Sequence, residues 1–150
     1  MQHITQQEIN VCAEYNKAKH PESGAIVMFS GDVRNHNKGQ KVKYIDYEAY
    51  DALADKTIAK ILTEAKEKWD LQYAECIHRI GKVGICETAV VVLVSSVHRK
   101  EAYDANRFII DQVKALAPIW KHEFFEDGTS KWGANCDCAS EDHEHLHHHH

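Results

Sequence analysis

The sequence predicts a single globular domain that combines buried strands with long amphipathic helices. Two apolar runs of strand length, residues 25–33 and 88–95, indicate buried strands. The second run is the most apolar in the chain and is expected at the centre of a sheet. Two longer stretches, residues 52–69 and 97–117, repeat apolar residues at helical spacing. A chain of 150 residues is long enough to bury one sizeable core.

The remaining elements follow from local patterns. Residues 5–19 are predicted to form a short helix, with Thr5 as N-cap and Glu8 completing a capping box. Residues 42–50 alternate and are rich in aromatic and β-branched types, so we expect them to form the strand that returns from the polar loop 34–41. Further strands are predicted at 73–80 and 119–125, and Asp51 is expected to cap the helix 52–69. A tight turn is predicted at 126–128, and the ordered part is expected to end at 132–133.

The predicted helix 97–117 carries basic residues in its first turn, where a helix normally favours acidic ones. Ser95 and Ser96 are good N-cap residues, so His98, Arg99 and Lys100 fall in the first turn, where the macrodipole favours negative charge. A bound anion would remove this conflict. The alternative is a solvated helix end, because each such residue costs only ~0.3–1 kcal/mol. Both interpretations stay open.

Lys114 and Lys121 lie on either side of the break that Pro118 makes after this helix. The chain can fold back there and bring the two ammonium groups together, which favours a lysine acting as base or nucleophile near neutral pH. A lysine in the last helical turn is also what the macrodipole favours, so a structural role stays open. Arg99 lies about 22 Å from Lys114 along the helix at ~1.5 Å per residue. If both serve one pocket, we expect His98 and Arg99 to come from a second copy across a two-fold interface.

Three further residues that are or can be cationic lie at the end of a strand or within one. Arg34 directly follows the strand 25–33, where a rigid scaffold can aim it, although the loop 34–41 is also typical of a solvated connection. His78 and Arg79 lie in a strand, so their side chains alternate faces and at most one points toward a given pocket. We interpret His78 as a structural residue.

Composition excludes several function classes. The formal charge of −5 and the lack of a Lys/Arg-rich run give no basic face for nucleic acid. The N-terminal residues do not resemble a signal peptide and no run has the length of a membrane span, so we expect a soluble, cytoplasmic protein. Five scattered cysteines argue against a disulfide framework.

The C-terminal HLHHHH resembles an expression tag, and residues 136–150 are expected to form a disordered tail. Zinc binding by this tail is the alternative, through the residues Cys136, Cys138, His143 and His145. We predict no native metal site, because Cys-x-Cys is tighter than usual finger spacing and the region is polar and terminal. No cofactor is predicted.

Five motifs together resemble a known family over about residues 24–132. They are Gly31-Asp-Val-Arg34-Asn-His-Asn37, Tyr47-Glu-Ala-Tyr50, His78-Arg-Ile-Gly81, Ser95-Ser-Val-His98-Arg99-Lys100 and Ala117-Pro-Ile-Trp-Lys121. In order and spacing they are similar to the catalytic (large) subunit of molybdopterin synthase, the MoaE family. The resemblance implies an α+β fold of the alpha/beta hammerhead type, an antiparallel-rich mixed sheet with flanking helices, formed by residues 1–135 as one catalytic domain.

The resemblance also implies a function and partners. The family transfers sulfur from the C-terminal Gly-Gly thiocarboxylate of a small ubiquitin-like (MoaD-like) carrier subunit to cyclic pyranopterin monophosphate, which builds the dithiolene of molybdopterin. The large subunit is a homodimer within a heterotetramer. None of the matched motifs contains a cysteine, which agrees with sulfur arriving on the partner.

Carried over by residue, the resemblance implies that Lys114 and Lys121 are the catalytic lysines. It implies that substrate is bound by Arg34, His98 and Arg99, with Asp32, Val33, His122 and Glu123 lining the same site. The alternative function is a non-catalytic dimeric module that docks a ubiquitin-like tail or a phosphorylated metabolite. Metal storage through the Cys/His tail is a third possibility.

Overall fold

The structure, a computed structural model, describes residues 1–135. The predicted tail 136–150, with its cysteines and histidines, lies outside the described residues. Three helices are present in the described part: α1 (Val11–Lys17), α2 (Asp51–Lys68) and α3 (Arg99–Leu116). The strands there are β1 (Ile4–Thr5), β2 (Ala25–Asp32), β3 (His36–Asn37), β4 (Gln40–Ala49), β5 (Leu71–Arg79), β6 (Gly81–Gly84), β7 (Thr88–Ser96), β8 (Ile119–Phe125) and β9 (Ser130–Ala134).

The first sheet has the strand order β1-β5-β7-β2, with β1 parallel to β5 and the other pairs antiparallel. The apolar strand β7 therefore lies inside the sheet, as predicted. Its alternate residues Val90, Val92 and Val94 join the main core, on which α2 and α3 pack. Val91 and Leu93 point to the opposite face and pack with Ala18, at the end of α1. Because both faces are covered, the strand is apolar throughout rather than alternating.

The second sheet is antiparallel and has the order β3-β4-β8-β9. Strand β6 also pairs with β4, on the edge away from β8. Its register places Tyr47 of β4 opposite Lys121 of β8, and Ile45 opposite Glu123. Two sheets with segregated helices confirm the predicted α+β class. The cleft between the end of β2 and the β4–β8 pair positions the candidate site.

The predicted helix 5–19 is shorter than expected and begins elsewhere. Helix α1 begins after Asn10, whose side-chain oxygen accepts a hydrogen bond from Ala13 N at 3.0 Å. Thr5 belongs instead to β1, where it pairs with Arg79 and leaves its neighbour Ile4 only 4% exposed. Strand pairing and burial of Ile4 outweigh a capping box, which is worth roughly 1 kcal/mol.

The predicted strand 42–50 is present as β4, and β2 is not its partner. Strand β2 pairs with β7, whereas β4 pairs with β8 and β6. The loop instead contains its own small hairpin, in which β3 pairs with the start of β4 across Lys38 and Gly39. Both turn residues have positive φ, 50° and 83°, as a two-residue hairpin turn requires.

The N-termini of the two long helices also differ from prediction. Ser95 and Ser96 remain in β7, and the N-cap of α3 is His98, which makes no side-chain capping bond. Tyr50 is the N-cap of α2, while Asp51 is its first helical residue and places its charge in the first turn. The turn predicted at 126–128 is present, with Gly128 at φ 89°.

Candidate active site

A cavity of about 340 Å³ opens between the end of β2 and the β4–β8 pair, beside the C-terminal end of α3. Six of the sequence-predicted site residues line it: Asp32, Val33, Arg34, Lys114, Lys121 and Glu123. The remaining wall mixes apolar and polar residues, and it consists of Phe29, Ser30, Gly31, His36, Asn37, Val42, Ile45, Tyr47, His78, Ala89, Val90 and Asn135. Distant parts of the chain therefore meet at one concave surface.

The two predicted lysines line this cavity from different elements. Lys114 is in the last turn of α3, and Lys121 is the third residue of β8. Between them the chain turns at Pro118, whose carbonyl accepts a hydrogen bond from Tyr50 N at 3.1 Å. This contact fixes the direction in which β8 leaves the helix. The predicted folding back of the chain therefore occurs, and it brings both ammonium groups to one pocket.

The end of β2 is held by the loop that connects β6 to β7. Val33 is 3% exposed, its N–H donates to Glu87 O at 3.0 Å, and its carbonyl accepts from Cys86 N at 2.7 Å. Arg34 follows directly and lies on the cavity rim. The Asp32 carboxylate accepts hydrogen bonds from the hydroxyls of Ser30 (2.7 Å) and Thr88 (3.1 Å). Arg34 therefore lines the cavity from the end of a strand, a position where binding residues are common.

Glu123 is a buried carboxylate, only 5% exposed, on the same face of β8 as Lys121. The side-chain amide of Asn37 donates to both of its oxygens, at 2.9 and 3.2 Å. A buried carboxylate needs such partners, because an unpaired one is costly. The cavity thus contains three cationic side chains and two carboxylates, and both carboxylates already accept hydrogen bonds from within the chain.

His78 and Asn135 form the polar end of the cavity wall. His78 is 1% exposed and donates from Nδ1 to the carbonyl of Arg79 at 2.8 Å. Burial lowers the pKa of His78 to about 4, and the nearby Lys114 charge acts in the same direction. The ring is therefore neutral at pH 7. These contacts agree with the interpretation of His78 as a structural residue, because its ring is buried and hydrogen-bonded. The residue also borders the cavity.

Three sequence-predicted site residues lie outside this cavity within one chain. His98 and Arg99 are exposed at the start of α3, which runs unbroken from Arg99 to Leu116, so they are at the opposite end of the helix from Lys114. His122 points to the other face of β8, because side chains alternate along a strand. There its ring stacks on Trp132, with the ring centroids 4.2 Å apart.

Sequence reasoning did not assign a site role to Tyr47, Asn37 or Asn135. Tyr47 and Asn37 fall within the quoted motifs, and that is the signal that could have found them. Asn135 had no signal, because the ordered part was expected to end at Trp132 and Gly133. The structure continues through β9 and places Asn135 in the cavity wall, 4% exposed.

Within residues 1–135, no group of three or more His, Cys, Asp or Glu side chains is arranged to hold a metal ion. In the same residues, none of the helices has the length and apolar character needed to cross a bilayer.

Comparison with known proteins identifies the family. The sequence model of the MoaE protein family matches residues 4–116. The molybdopterin synthase catalytic subunit of Thermoplasma volcanium is 44% identical over 129 residues, which cover 86% of this chain and 94% of that protein. The crystal structure of molybdopterin synthase from Staphylococcus aureus has a TM-score of 0.83 at 42% identity, covering 88% of this chain and 96% of that one. The protein complex of subunits 1 and 2 of molybdopterin-converting factor from Helicobacter pylori 26695 shares the fold, with a TM-score of 0.72 at 22% identity, covering 87% of this chain and 88% of that one. The resemblance seen in the motifs is thereby confirmed, and the chain belongs to the MoaE family, an enzyme family of molybdenum cofactor biosynthesis.

Proposed function

We propose that this chain transfers sulfur from the thiocarboxylated C-terminus of a small ubiquitin-like carrier subunit to cyclic pyranopterin monophosphate. Two such transfers build the dithiolene of molybdopterin. The observation that carries the proposal is the meeting of Lys114, Lys121 and Arg34 at one cavity, from a helix end, a strand and a strand terminus. Membership of the MoaE family supports the same reaction.

The cyclic phosphate is proposed to bind Arg34, together with His98 and Arg99 of a second copy of the chain. A guanidinium group suits phosphate because its planar donors match the oxygens in pairs. The position of His98 and Arg99 at the far end of an unbroken helix supports their contribution from a second copy. Backbone N–H groups in the first turn of α3 add further donors for the anion.

Lys114 and Lys121 are proposed to act on the sulfur. Their charges stabilise the incoming thiocarboxylate, whose sulfur forms a bond to a side-chain carbon of the pterin as the carbon–oxygen bond at that carbon breaks. The same charges stabilise the negative charge that develops on the departing oxygen. Hydrolysis of the resulting thioester then leaves the sulfur on the pterin and releases the carrier with a C-terminal carboxylate. One of the lysines relays protons to and from the pterin oxygens that leave. No residue of this chain carries the sulfur in this scheme.

The assembly is proposed to be a homodimer with one carrier bound to each copy. The relatives' designation as a catalytic subunit supports a second, different subunit. Residues 1–135 are proposed to act as the catalytic domain. Cys12, Cys76 and Cys86 are free thiols, which suits a reducing compartment such as the cytoplasm, where we place the reaction.

Reconstitution tests the proposal. The purified chain is mixed with thiocarboxylated carrier and cyclic pyranopterin monophosphate, and the dithiolene product is measured. We expect product with the native chain and none with Lys114→Ala, while folding and carrier binding of the variant stay near native. Lys60→Ala is the matched control, because Lys60 is exposed on α2 away from the cavity.

Two results would contradict the proposal. A native chain that binds carrier and precursor but forms no dithiolene would favour the alternative, a non-catalytic docking module. A Lys114→Ala chain that loses carrier binding yet still supports the chemistry would remove Lys114 from its catalytic role.

A further inference from the structure

The ammonium group of Lys114 contacts Asn135, the residue directly after β9. Lys114 Nζ donates a hydrogen bond to the backbone carbonyl of Asn135 at 3.4 Å. This distance exceeds the usual range of about 2.7–3.2 Å, so the contact is a weak one that a small movement of the carbonyl would break. Whether the contact forms therefore depends on what holds Asn135 in place.

The side chain of Asn135 is held by a buried histidine. Asn135 Nδ2 lies 3.0 Å from His78 Nε2, and both residues are almost fully buried, at 4% and 1% exposure. On the other side of the ring, His78 Nδ1 lies 2.8 Å from the carbonyl oxygen of Arg79. A carbonyl only accepts, so Nδ1 carries the proton. In a neutral ring Nε2 must then accept, which the Asn135 amide satisfies.

The histidine is itself fixed and neutral. Its ring meets the ring of Tyr47 edge-on, with the centroids 5.0 Å apart, in the cavity wall. Burial keeps its pKa near 4, so Nε2 remains an acceptor at neutral pH. A continuous path of hydrogen bonds thus runs from the backbone of β5 through His78 and Asn135 to Lys114.

We propose that His78 and Asn135 are positioning residues for Lys114, with Asn135 presenting its carbonyl to the ammonium group and His78 locking Asn135. This inference rests on the catalytic role given to Lys114 in the proposed function. Neither residue is assigned to the reacting atoms. Asn135, the residue directly after β9, is therefore part of the proposed active site, although the match to the family model ends at residue 116.

Two substitutions of His78 provide a matched test. The amide of Gln reaches the place of Nε2 and can accept from Asn135, whereas the shorter Asn replaces Nδ1 and leaves Asn135 without its partner. We expect His78→Gln to keep kcat within about 3-fold of native. We expect His78→Asn and Asn135→Ala each to lower kcat by on the order of 10-fold to 100-fold, the effect of a misplaced catalytic group. The KM for the pterin should stay within about 3-fold, because the anion-binding side chains are untouched.

The double variant and a second buried asparagine complete the test. If His78 acts through Asn135, then His78→Asn combined with Asn135→Ala should be no slower than either alone. Asn106 is the control for loss of a buried amide: it is 4% exposed in α3 and donates to the carbonyls of Val27 and Val92, away from the cavity. Asn106→Ala should be less stable and retain native kcat at temperatures where it is folded.

A labelling measurement separates this inference from the proposed function. The rate at which acetic anhydride acetylates Lys114 is measured by mass spectrometry, with Lys60 as internal reference. Asn135→Ala should raise the rate at Lys114 several-fold, and Asn106→Ala should not. Equal kcat losses in His78→Gln and His78→Asn, or an unchanged labelling rate in Asn135→Ala, would overturn the positioning role. A native chain that makes no dithiolene would instead overturn the proposed function, while the labelling still decides the contact.

Discussion

The side-chain amide of Asn37 donates to both carboxylate oxygens of Glu123, at 2.9 and 3.2 Å. This contact joins the small hairpin after β2 to strand β8, 86 positions away. Arg34 lies three residues before Asn37, and Lys121 lies two residues before Glu123. The pair therefore holds the two sides of the cavity that carry these cations in a fixed relation.

Replacing Asn37 by Ala should lower the free energy of unfolding by about 1–3 kcal/mol, because a buried carboxylate loses two hydrogen bonds. Urea denaturation measures the change. The matched control is Asn35→Ala in the same loop, where the side chain is exposed and a change within about 0.5 kcal/mol is expected. Equal losses in the two variants would show that the Asn37 contact does not stabilise the fold.

Replacing each lysine by Arg separates charge from proton transfer. Arginine keeps the positive charge but does not release a proton near neutral pH. We expect one of Lys114→Arg and Lys121→Arg to retain measurable turnover, and the other, at the relay position, to lose at least about 100-fold. Single-turnover formation of the dithiolene measures this. Near-native rates in both variants would exclude proton relay by either lysine.

His78 should make the protein less stable in mild acid. Its folded pKa of about 4 is below the value near 6.5 expected in the unfolded chain, so the unfolded state binds the proton more readily. The stabilisation is complete above pH 6.5 and is lost as the pH falls toward 4. It amounts to roughly 3 kcal/mol at about 1.4 kcal/mol per pH unit. Between pH 7 and pH 4, the free energy of unfolding should fall less for His78→Gln than for the native chain. An equal fall in both chains would contradict the assignment.

His3 should act in the opposite direction. Its Nδ1 lies 2.7 Å from Glu75 Oε1, and this hydrogen bond raises the pKa of His3. A raised folded pKa means that the stabilisation is complete below about pH 6.5 and is lost as the pH rises through the folded value. Glu75→Gln should remove this loss. The unfolding free energies of the two chains at pH 6 and pH 9 measure it, and an unchanged pH dependence in the variant would rule out the pair as its source.

The sequence predicted the features that depend on local pattern or chain geometry. The run at 88–95 is buried on both faces, and this made its interior position in the sheet predictable. The break at Pro118 sits between Lys114 and Lys121, so their approach followed from chain direction. The rise per residue of an α-helix predicted that His98 and Arg99 lie far from Lys114 on the same helix, and the structure has this arrangement.

The features that sequence reasoning missed depend on tertiary pairing. Strand β1 is two residues long and exists because Ile4 and Thr5 pair with β5, which no periodicity reveals. Strand β9 has no apolar run, and its pairing with β8 stabilises it. Because β9 was not predicted, Asn135 and its link to His78 were not predicted either. The face occupied by His122 was predictable in principle, since alternation along β8 separates it from Lys121 and Glu123.

In the proposed homodimer, one sulfur-transfer site combines Lys114 of one copy with Arg99 of the other. The most direct measurement mixes Arg99→Ala and Lys114→Ala chains, lets them exchange subunits, and assays dithiolene formation with thiocarboxylated carrier. Each parent should be inactive. Each mixed dimer should contain one site with both native residues, so random mixing predicts about a quarter of native activity. A mixture no more active than its parents would contradict the shared site.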